Sequence, residues 1–381
     1  MRNKSGLLYQ TIINDIKNAI SSGKYKPGDK LPTEYELAQI YNVSRITVTR
    51  ATKELENENL VYKVKGTGTF IKDANDKPAS NQFKFISVII PFKEKWFFDI
   101  LSGAEDELKK WGYYVSYNCT NYNPKEEREL IINLSENNAM GFIIYPSSTF
   151  ANIDLYSSLI IRNKPIVFVD RTIELIDAPS VTSNNFDAGY NITKLLIDNG
   201  HIRIGFVGHN IHLFNSSYDR YKGFCKALID NGIEINSNYL FDDYIAESGN
   251  KEFISIYKNP HSIESAKKVL TSMLSQKPQP TAIMALNDVI AIALVKAAME
   301  LGISIPDQLS ITGFDNLILQ EQLPINLTTV AQHFDKMGAA AAKMLLTKIK
   351  QPNEKLKNQV IDTEIIIKDS VKDIRNIEQP N

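Results

Sequence analysis

Cysteine is nearly absent. The 381 residues hold two, Cys119 and Cys225, too few for a disulfide scaffold or a cysteine-ligated zinc module. Long apolar runs are missing as well. None reaches the roughly 18 residues that a membrane span needs, and Lys4, Asp15 and Lys17 interrupt the start of the chain, unlike a secretory signal. A reducing, cytoplasmic setting without membrane contact is therefore expected. There is no excess of one charge, with 43 Lys and Arg against 44 Asp and Glu. The sequence contains no HExxH, CxxC, GxSxG or P-loop pattern, so no cofactor, no metal and no enzymatic activity are expected. What remains is an ordinary globular mixture, 43% hydrophobic and 23% charged, in a chain too long for a single core.

The near-neutral total hides an asymmetry. Residues 1–77 carry 13 Lys and Arg against 9 Asp and Glu, whereas the remainder carries 30 against 35. A basic head on an acidic body is the pattern of a nucleic-acid module joined to something else. From Lys72 to Gln82 the chain is polar and almost free of core residues, as a linker is. The run Phe85-Ile86-Ser87-Val88-Ile89-Ile90 then begins abruptly as a buried strand. The expected division is a head at residues 1–72, a linker at 73–84 and a body at 85–381.

In the head, Ile12, Ile13, Ile16, Ala19 and Ile20 recur at helical spacing before Gly23. Thr33-Glu34-Tyr35-Glu36 is a capping box, opening a short helix with Leu37, Ala38 and Ile40 inward, and Asn42 suits a left-handed exit. Ser44 caps a third helix. Its residues Val48, Ala51, Thr52 and Leu55 share one face, and Ile46, Thr49, Arg50, Lys53 and Asn57 share the opposite one. A short helix, a tight turn and a polar, basic helix form a helix-turn-helix pattern. Arg45 and Arg50 suit guanine edges, and Ile46 a thymine methyl. Leu60–Val64 and Thr69–Ile71 alternate as strands around the basic tip Lys65-Gly66-Thr67-Gly68, a wing able to lie on sugar-phosphate.

Pro27-Gly28-Asp29-Lys30-Leu31-Pro32-Thr33-Glu34, Val43-Ser44-Arg45 and Gly66-Thr67-Gly68-Thr69-Phe70 together resemble the GntR-family winged helix-turn-helix over residues 1–72. The resemblance, with the basic face, implies contacts to double-stranded operator DNA from Thr33, Ser44, Arg45, Thr47, Thr49, Arg50, Lys65 and Gly66. One departure bears on base preference: this chain places arginine at 50, where the family pattern has it at the position of Thr49.

In the body, apolar runs at Ile86–Ile90, Tyr114–Tyr117, Gly141–Tyr145, Ile166–Val169, Ile204–Val207, Ala282–Ala285 and Ser310–Gly313 alternate with helical segments. Several of these end at glycine. About 300 residues of this kind exceed one open sheet, so an α/β body of two doubly wound parallel sheets is expected. Ligands of such folds sit beyond the carboxyl ends of strands. There stand Phe97, Phe98, Tyr145, Asp170, Arg171, Asp288 and Gln332, with Arg220 just before a helix. Aromatic rings take the weakly apolar faces of a sugar, while carboxylates, amides and guanidinium groups take its hydroxyls. Taken singly, each has a plainer role: Phe97 and Phe98 as core, Asp170 and Arg171 as a surface pair, Asp288 as a helix cap.

The segments Pro165–Arg171, Asn199–Phe206, Arg220–Phe224, Leu286-Asn287-Asp288, Gly313-Phe314-Asp315 and Leu327–Val330 resemble the LacI-family effector domain, which has a two-lobed periplasmic-binding-protein-like fold. By that resemblance Phe97, Phe98, Asp170, Arg171, Arg220, Asp288 and Gln332 contact a monosaccharide. Lys95 stands where sugar binders of the group often have asparagine. A GntR-type head on this body resembles the arabinose-responsive repressors of bacteria, which implies L-arabinose as effector, a homodimer, and lobe crossings near residue 186, near Gln332 and after Ile349. Another pentose or hexose, or a small organic acid, is the alternative effector. A transport-type sugar binder does not carry a winged head, and a pyridoxal-phosphate body needs a longer chain.

Overall fold

The computed structural model describes residues 4–58, 60–64, 67–72, 84–93, 97–242, 262–317 and 323–376, and it divides into two compact units, 1–83 and 84–381. In the first unit, helices α1 (Lys4–Ser21), α2 (Glu34–Ile40) and α3 (Arg45–Asn57) precede an antiparallel hairpin of β1 (Val61–Val64) and β2 (Gly68–Ile71). The helical spacing of Ile12, Ile13 and Ile16 brings them into one core with Leu31, Leu37, Val48, Ala51, Leu55, Val61 and Ile71. The capping box forms: the Glu36 N–H donates to Thr33 Oγ1 at 3.3 Å and the Thr33 N–H donates to Glu36 Oε2 at 2.7 Å. Asn42 takes the left-handed turn at φ 50°. Ile40 departs from expectation. It is 65% exposed, because Tyr41 and Val43 pack into the core beside Leu37 and Ala38 instead.

The second unit is an α/β body of two lobes. In the first lobe, β3 (Phe85–Ile90), α4 (Phe97–Lys109), β4 (Tyr114–Cys119), α5 (Pro124–Glu136), β5 (Phe142–Ile144), α6 (Ile153–Ile161), β6 (Ile166–Val169) and β7 (Ser180–Ser183) follow in order. The second lobe holds α7 (Asn185–Asp198), β8 (Ile204–Val207), α8 (Asn215–Asp230), β9 (Leu240–Phe241), α9 (Ile263–Leu274), β10 (Ala282–Ala285), α10 (Asp288–Glu300), β11 (Ser310–Thr312) and β12 (Thr329–Ala331). Then α11 (Phe334–Lys350) and β13 (Gln359–Ile361) return to the first lobe, and β14 (Glu364–Ile366) pairs antiparallel with β12. The first sheet runs β13-β7-β6-β5-β3-β4 and the second β11-β10-β8-β9, all parallel. Parallel sheets are covered on both faces, and β6, β8 and β10 are buried along their whole length.

Among the described residues the chain passes between lobes three times: at Asn184–Asn185, at Gln332–His333, and between β13 and β14 at Asp362–Thr363. All three positions agree with the sequence reading. Each lobe contains one pair of helices in unusually close contact. A Cβ on Gly103 of α4 would lie 1.9 Å from the Asp335 carbonyl oxygen, and one on Gly338 of α11 would lie 2.0 Å from the Ile100 carbonyl oxygen. In the second lobe, Gly189 of α7 and Gly223 of α8 stand in the same reciprocal relation to Arg220 and Phe186. Among the described residues no helix is long and apolar enough to cross a membrane.

Two stability effects are expected. Gly338→Ala forces backbone apart, which typically costs about 1–3 kcal/mol, and urea unfolding of the full chain reads it; an unchanged midpoint would show that α4 and α11 separate freely. The second concerns His201, whose ring nitrogens lie 2.9 Å from Thr281 Oγ1 and 3.1 Å from the Lys372 carbonyl, tying the last strand region to β10. Burial holds its pKa down to about 4. The unfolded chain therefore binds the extra proton between about pH 6.5 and pH 4, and stability is lost as pH falls through that window. The loss is on the order of 3 kcal/mol at the acid end. His201→Gln flattens this part of the pH–stability curve in urea melts.

Candidate functional site

The strand ends bring charge together between the lobes. Tyr145 follows β5, and Asp170 and Arg171 follow β6; opposite them, Asp288 opens α10, Asp315 follows β11 and Gln332 follows β12. Arg220 stands inside α8 rather than ahead of a helix. Tyr145, Asp170, Arg171, Arg220, Asp288 and Gln332 are all buried, and the Asp315 side chain is 10% exposed. Backbone strain collects at the same ends: Asp170, Asp315 and His333 have φ of 62°, 113° and 49°. Non-glycine residues hold such angles where surrounding structure over-determines them, commonly at functional sites.

Each arginine is fixed by partners that reach it from separate elements. Arg220 donates from Nε to Asn185 Oδ1 at 2.9 Å and from Nη1 to the Leu286 carbonyl at 3.0 Å. It pairs with Asp315 Oδ1 at 3.3 Å, and its guanidinium lies 3.7 Å from the Phe314 ring centroid. Arg171 donates from Nη1 to the Pro146 carbonyl at 2.9 Å, lies 4.0 Å from Asp170 Oδ2, and covers the Phe214 ring at 3.3 Å and the Tyr145 ring at 4.7 Å. Phe214 belongs to the second lobe, so this contact crosses the cleft. Other contacts among the described residues do so too: Ser216 Oγ donates to Asp170 Oδ2 at 3.3 Å, Thr149 Oγ1 donates to the Leu213 carbonyl at 2.9 Å, and Asn215 Nδ2 donates to Glu174 Oε1 at 3.4 Å. The lobes therefore touch in this structure.

Burial dominates the titration of the cleft. It pushes the Asp315 carboxyl up to about 7; Arg220 opposes the shift, and Asp288 adds to it. Burial, with Asp170 beside it, holds Tyr145 well above the usual phenol range. Gln332 donates from Nε2 to Asp315. Arg171 Nε and Gln332 Oε1 are buried and have no hydrogen-bond partner in the protein. A buried donor and a buried acceptor in one cleft fit a hydroxyl, which serves both.

Three sequence expectations need correction. Phe97 is 1% exposed and packs on Tyr117 in the first-lobe core, whereas Phe98 is 57% exposed. Their rings still meet, centroids 5.7 Å apart and tilted by 41°, and the rings that cover the buried arginines most closely are Phe214, Phe314 and Tyr145. Asp288 has both oxygens engaged within the protein, Oδ1 accepting from Thr329 Oγ1 at 2.6 Å and Oδ2 from the Leu317 N–H at 2.7 Å. It braces the cleft wall; the helix cap beside it is Asn287. Asp315, Phe214, Ser216 and Asn185 were not anticipated as site residues, although Asp315 has the strand-end placement that singled out the others.

In the head, Ser44 caps α3 and its Oγ lies 2.9 Å from Thr47 Oγ1. The Thr33 hydroxyl is taken by Glu36, so it serves the cap rather than an outward contact. Glu34 accepts from Thr49 Oγ1 at 3.0 Å and from Lys63 Nζ at 2.9 Å, and lies 3.5 Å from Arg45 Nε, joining α2, α3 and β1. These partners hold the Glu34 carboxyl below the usual carboxylate range, Lys63 most of all. Arg50 lies 4.3 Å from the Tyr9 ring centroid. Arg45, with a side chain 74% exposed, and Ile46, 82% exposed, project from the start of α3. Lys65, Gly66 and Lys95 lie outside the described residues.

Comparison with known proteins agrees with both units. Residues 8–71 match the family described as bacterial regulatory proteins, gntR family, and residues 193–371 match the periplasmic binding protein-like domain. An arabinose metabolism transcriptional repressor from Geobacillus stearothermophilus is 30% identical over 98% of this chain and 100% of its own length. A second, from Halalkalibacterium halodurans, is 31% identical over 90% of this chain and 89% of its own. Among solved structures, a LacI family transcriptional regulator from Enterococcus faecium with bound ribose has a TM-score of 0.63 at 24% identity, covering 77% of this chain and 100% of its own. The cellobiose complex of the transcriptional regulator CelR has the same TM-score, 0.63, at 17% identity, covering 89% of this chain and 100% of its own. At those identities the two structures speak for the fold alone. The chain belongs to the family of transcriptional repressors in which a GntR-type helix-turn-helix domain is joined to a periplasmic-binding-protein-like domain.

Proposed function

We propose that this repressor of sugar-metabolism genes holds an operator through α3 and the wing, and that a neutral monosaccharide, L-arabinose, binds in the cleft and releases it. The observation that carries the effector reading is that Arg171 Nε, after β6, and Gln332 Oε1, after β12, are both buried and both without a hydrogen-bond partner in the protein, at strand ends that also carry the rings of Phe214, Phe314 and Tyr145. Such a cleft offers ring faces to a pyranose and a donor and acceptor to its hydroxyls. The relatives named for arabinose metabolism favour this pentose over others. An organic acid fits less well, because each cleft arginine already has a carboxylate near it.

Release follows from linkage. A ligand favours closure only if it binds the closed form better, and couplings of about 1–3 kcal/mol are typical. Two copies of the chain, reading a two-fold symmetric site, convert a change of lobe geometry into a change of half-site spacing. On this reading Ser44, Arg45, Thr47, Thr49 and Arg50, with Lys65 and Gly66 of the wing, line the DNA side, and Thr33 holds α2 in place for them.

Two measurements test these halves separately. Isothermal titration of the full chain is expected to show L-arabinose binding, with Gln332→Ala and Arg171→Ala each weakening it by about tenfold or more, the size of a lost charged or neutral hydrogen bond. Absence of heat with L-arabinose and every other pentose and hexose would remove the effector reading. For the head, Arg45→Ala is expected to cost about 1–3 kcal/mol in gel-shift affinity for a duplex selected from random DNA by the wild-type protein. An unchanged affinity would take Arg45 off the reading face.

A further inference from the structure

The charges of the cleft are matched in a way that bears on what it refuses. Asp315 sits on Arg220 at 3.3 Å, and Asp170 lies 4.0 Å from Arg171. Asp288 adds a third carboxylate behind them, fully buried and held by Thr329 and Leu317. With Asp315 ionised, as above neutral pH, three acids face two arginines, and the surplus is negative. Of the five N–H groups of Arg220, those on Nε and Nη1 are committed to Asn185, Leu286 and Asp315. An anionic ligand seeking this guanidinium must therefore displace a carboxylate already seated on it, or stand beside that carboxylate in a buried site. Either is costly, since like charges in a dry cleft repel strongly. A neutral polyol meets no such penalty.

We propose that Asp315 is the charge filter of the cleft, holding Arg220 away from anions and so restricting the site to neutral sugars against the corresponding sugar acids. The proposal rests on the effector reading and adds a specificity residue to it. Specificity of this kind comes from penalising the wrong ligand rather than from improving the right one. Geometry makes Asp315 the group able to do this. Its Oδ1 is shared between Arg220 of α8 and Gln332 of the second crossing, and its backbone is held at φ 113°. The charged groups that face it are Arg220 from α8, Asp288 from α10 and Asp170 from the loop after β6. The filter is consequently pH-dependent: as burial and the neighbouring acids favour its protonated form near neutrality, Asp315 loses its hold on Arg220 as pH falls.

The test is a titration of the full chain with L-arabinose and with L-arabinonate, its aldonic acid, at pH 8 and pH 6. Arabinonate stays anionic throughout this range. For the wild type, arabinonate is expected to bind at least 10-fold more weakly than arabinose at pH 8 and to gain at least 5-fold at pH 6. Asp315→Asn is expected to raise the arabinonate-to-arabinose affinity ratio at least 10-fold at pH 8 and to abolish its pH dependence. A pH dependence that persists in Asp315→Asn would assign the effect to another group and overturn the proposal. So would an unchanged ratio. Should the variant fail to fold, as thermal melting would show, the wild-type pH series decides alone: equal arabinonate affinity at both pH values refutes the filter. Failure of arabinose to bind would instead count against the effector reading, and the filter is then tested by the arabinonate affinities alone, wild type against Asp315→Asn and pH 8 against pH 6.

Discussion

A guanidinium group taken out of water needs oxygen atoms in fixed directions, and in the body of this protein Arg220 imposes that demand on everything around it. Its partners come from Asn185 at the first lobe crossing, Leu286 at the end of β10, and Asp315 beyond β11, with Phe314 stacked beneath. Asp315 is in turn held by Gln332 at the second crossing. One cation thus fixes the strand ends of the second lobe and touches two of the three places where the chain passes between lobes. Buried charge pairs seldom add net stability over apolar packing, but breaking one partner is severe. The arrangement is better understood as setting geometry than as holding the fold together.

The rest of the body keeps that geometry stiff. Reciprocal glycines bring α4 against α11 and α7 against α8 with room for no side chain between them. Close-packed interiors resist deformation and move between discrete arrangements rather than bending continuously. On the proposed reading, movement of one lobe relative to the other is left to the crossings and to the polar contacts that span the cleft, Ser216 with Asp170, Thr149 with Leu213 and Asn215 with Glu174. These are few and exchangeable for water, as a switch between open and closed forms requires. The head has a comparable joint in Glu34, which ties the first turn of α3 to α2 and to β1 and so fixes where Arg45 points.

Much of this was legible in the sequence, for reasons that differ by element. The strands of both parallel sheets are buried on two faces and so appear as unbroken apolar runs, as at Ile166–Val169 and Ala282–Ala285. Strand β7, Ser180–Ser183, is half polar, and β13 and β14 are three residues each and partly exposed, so no unbroken apolar run marks them. Asp170, Arg171, Tyr145 and Gln332 stand out in the sequence because strand ends are where α/β folds keep their ligand groups, and the structure buries all four at those ends. Phe214 and Ser216 escaped because they precede or open a helix in the other lobe and reach the cleft only when the lobes meet. Phe97 and Phe98 misled for a local reason: at neighbouring positions of one helix, burying the first in the core turns the second toward solvent.

The position of Asp315 shows why pairing cannot be read along a chain. Nothing near it in sequence is basic, and in isolation it is one acid after a strand. Folding brings Arg220 to 3.3 Å from it and Gln332 to the same oxygen. The carboxylate then does two things at once. It balances the charge of a buried cation, and it joins that cation to the crossing at Gln332. On the proposed reading, ligand recognition and lobe movement share a residue. A ligand that rearranges the Arg220–Asp315–Gln332 contacts necessarily perturbs a hinge, with no longer path between the two events.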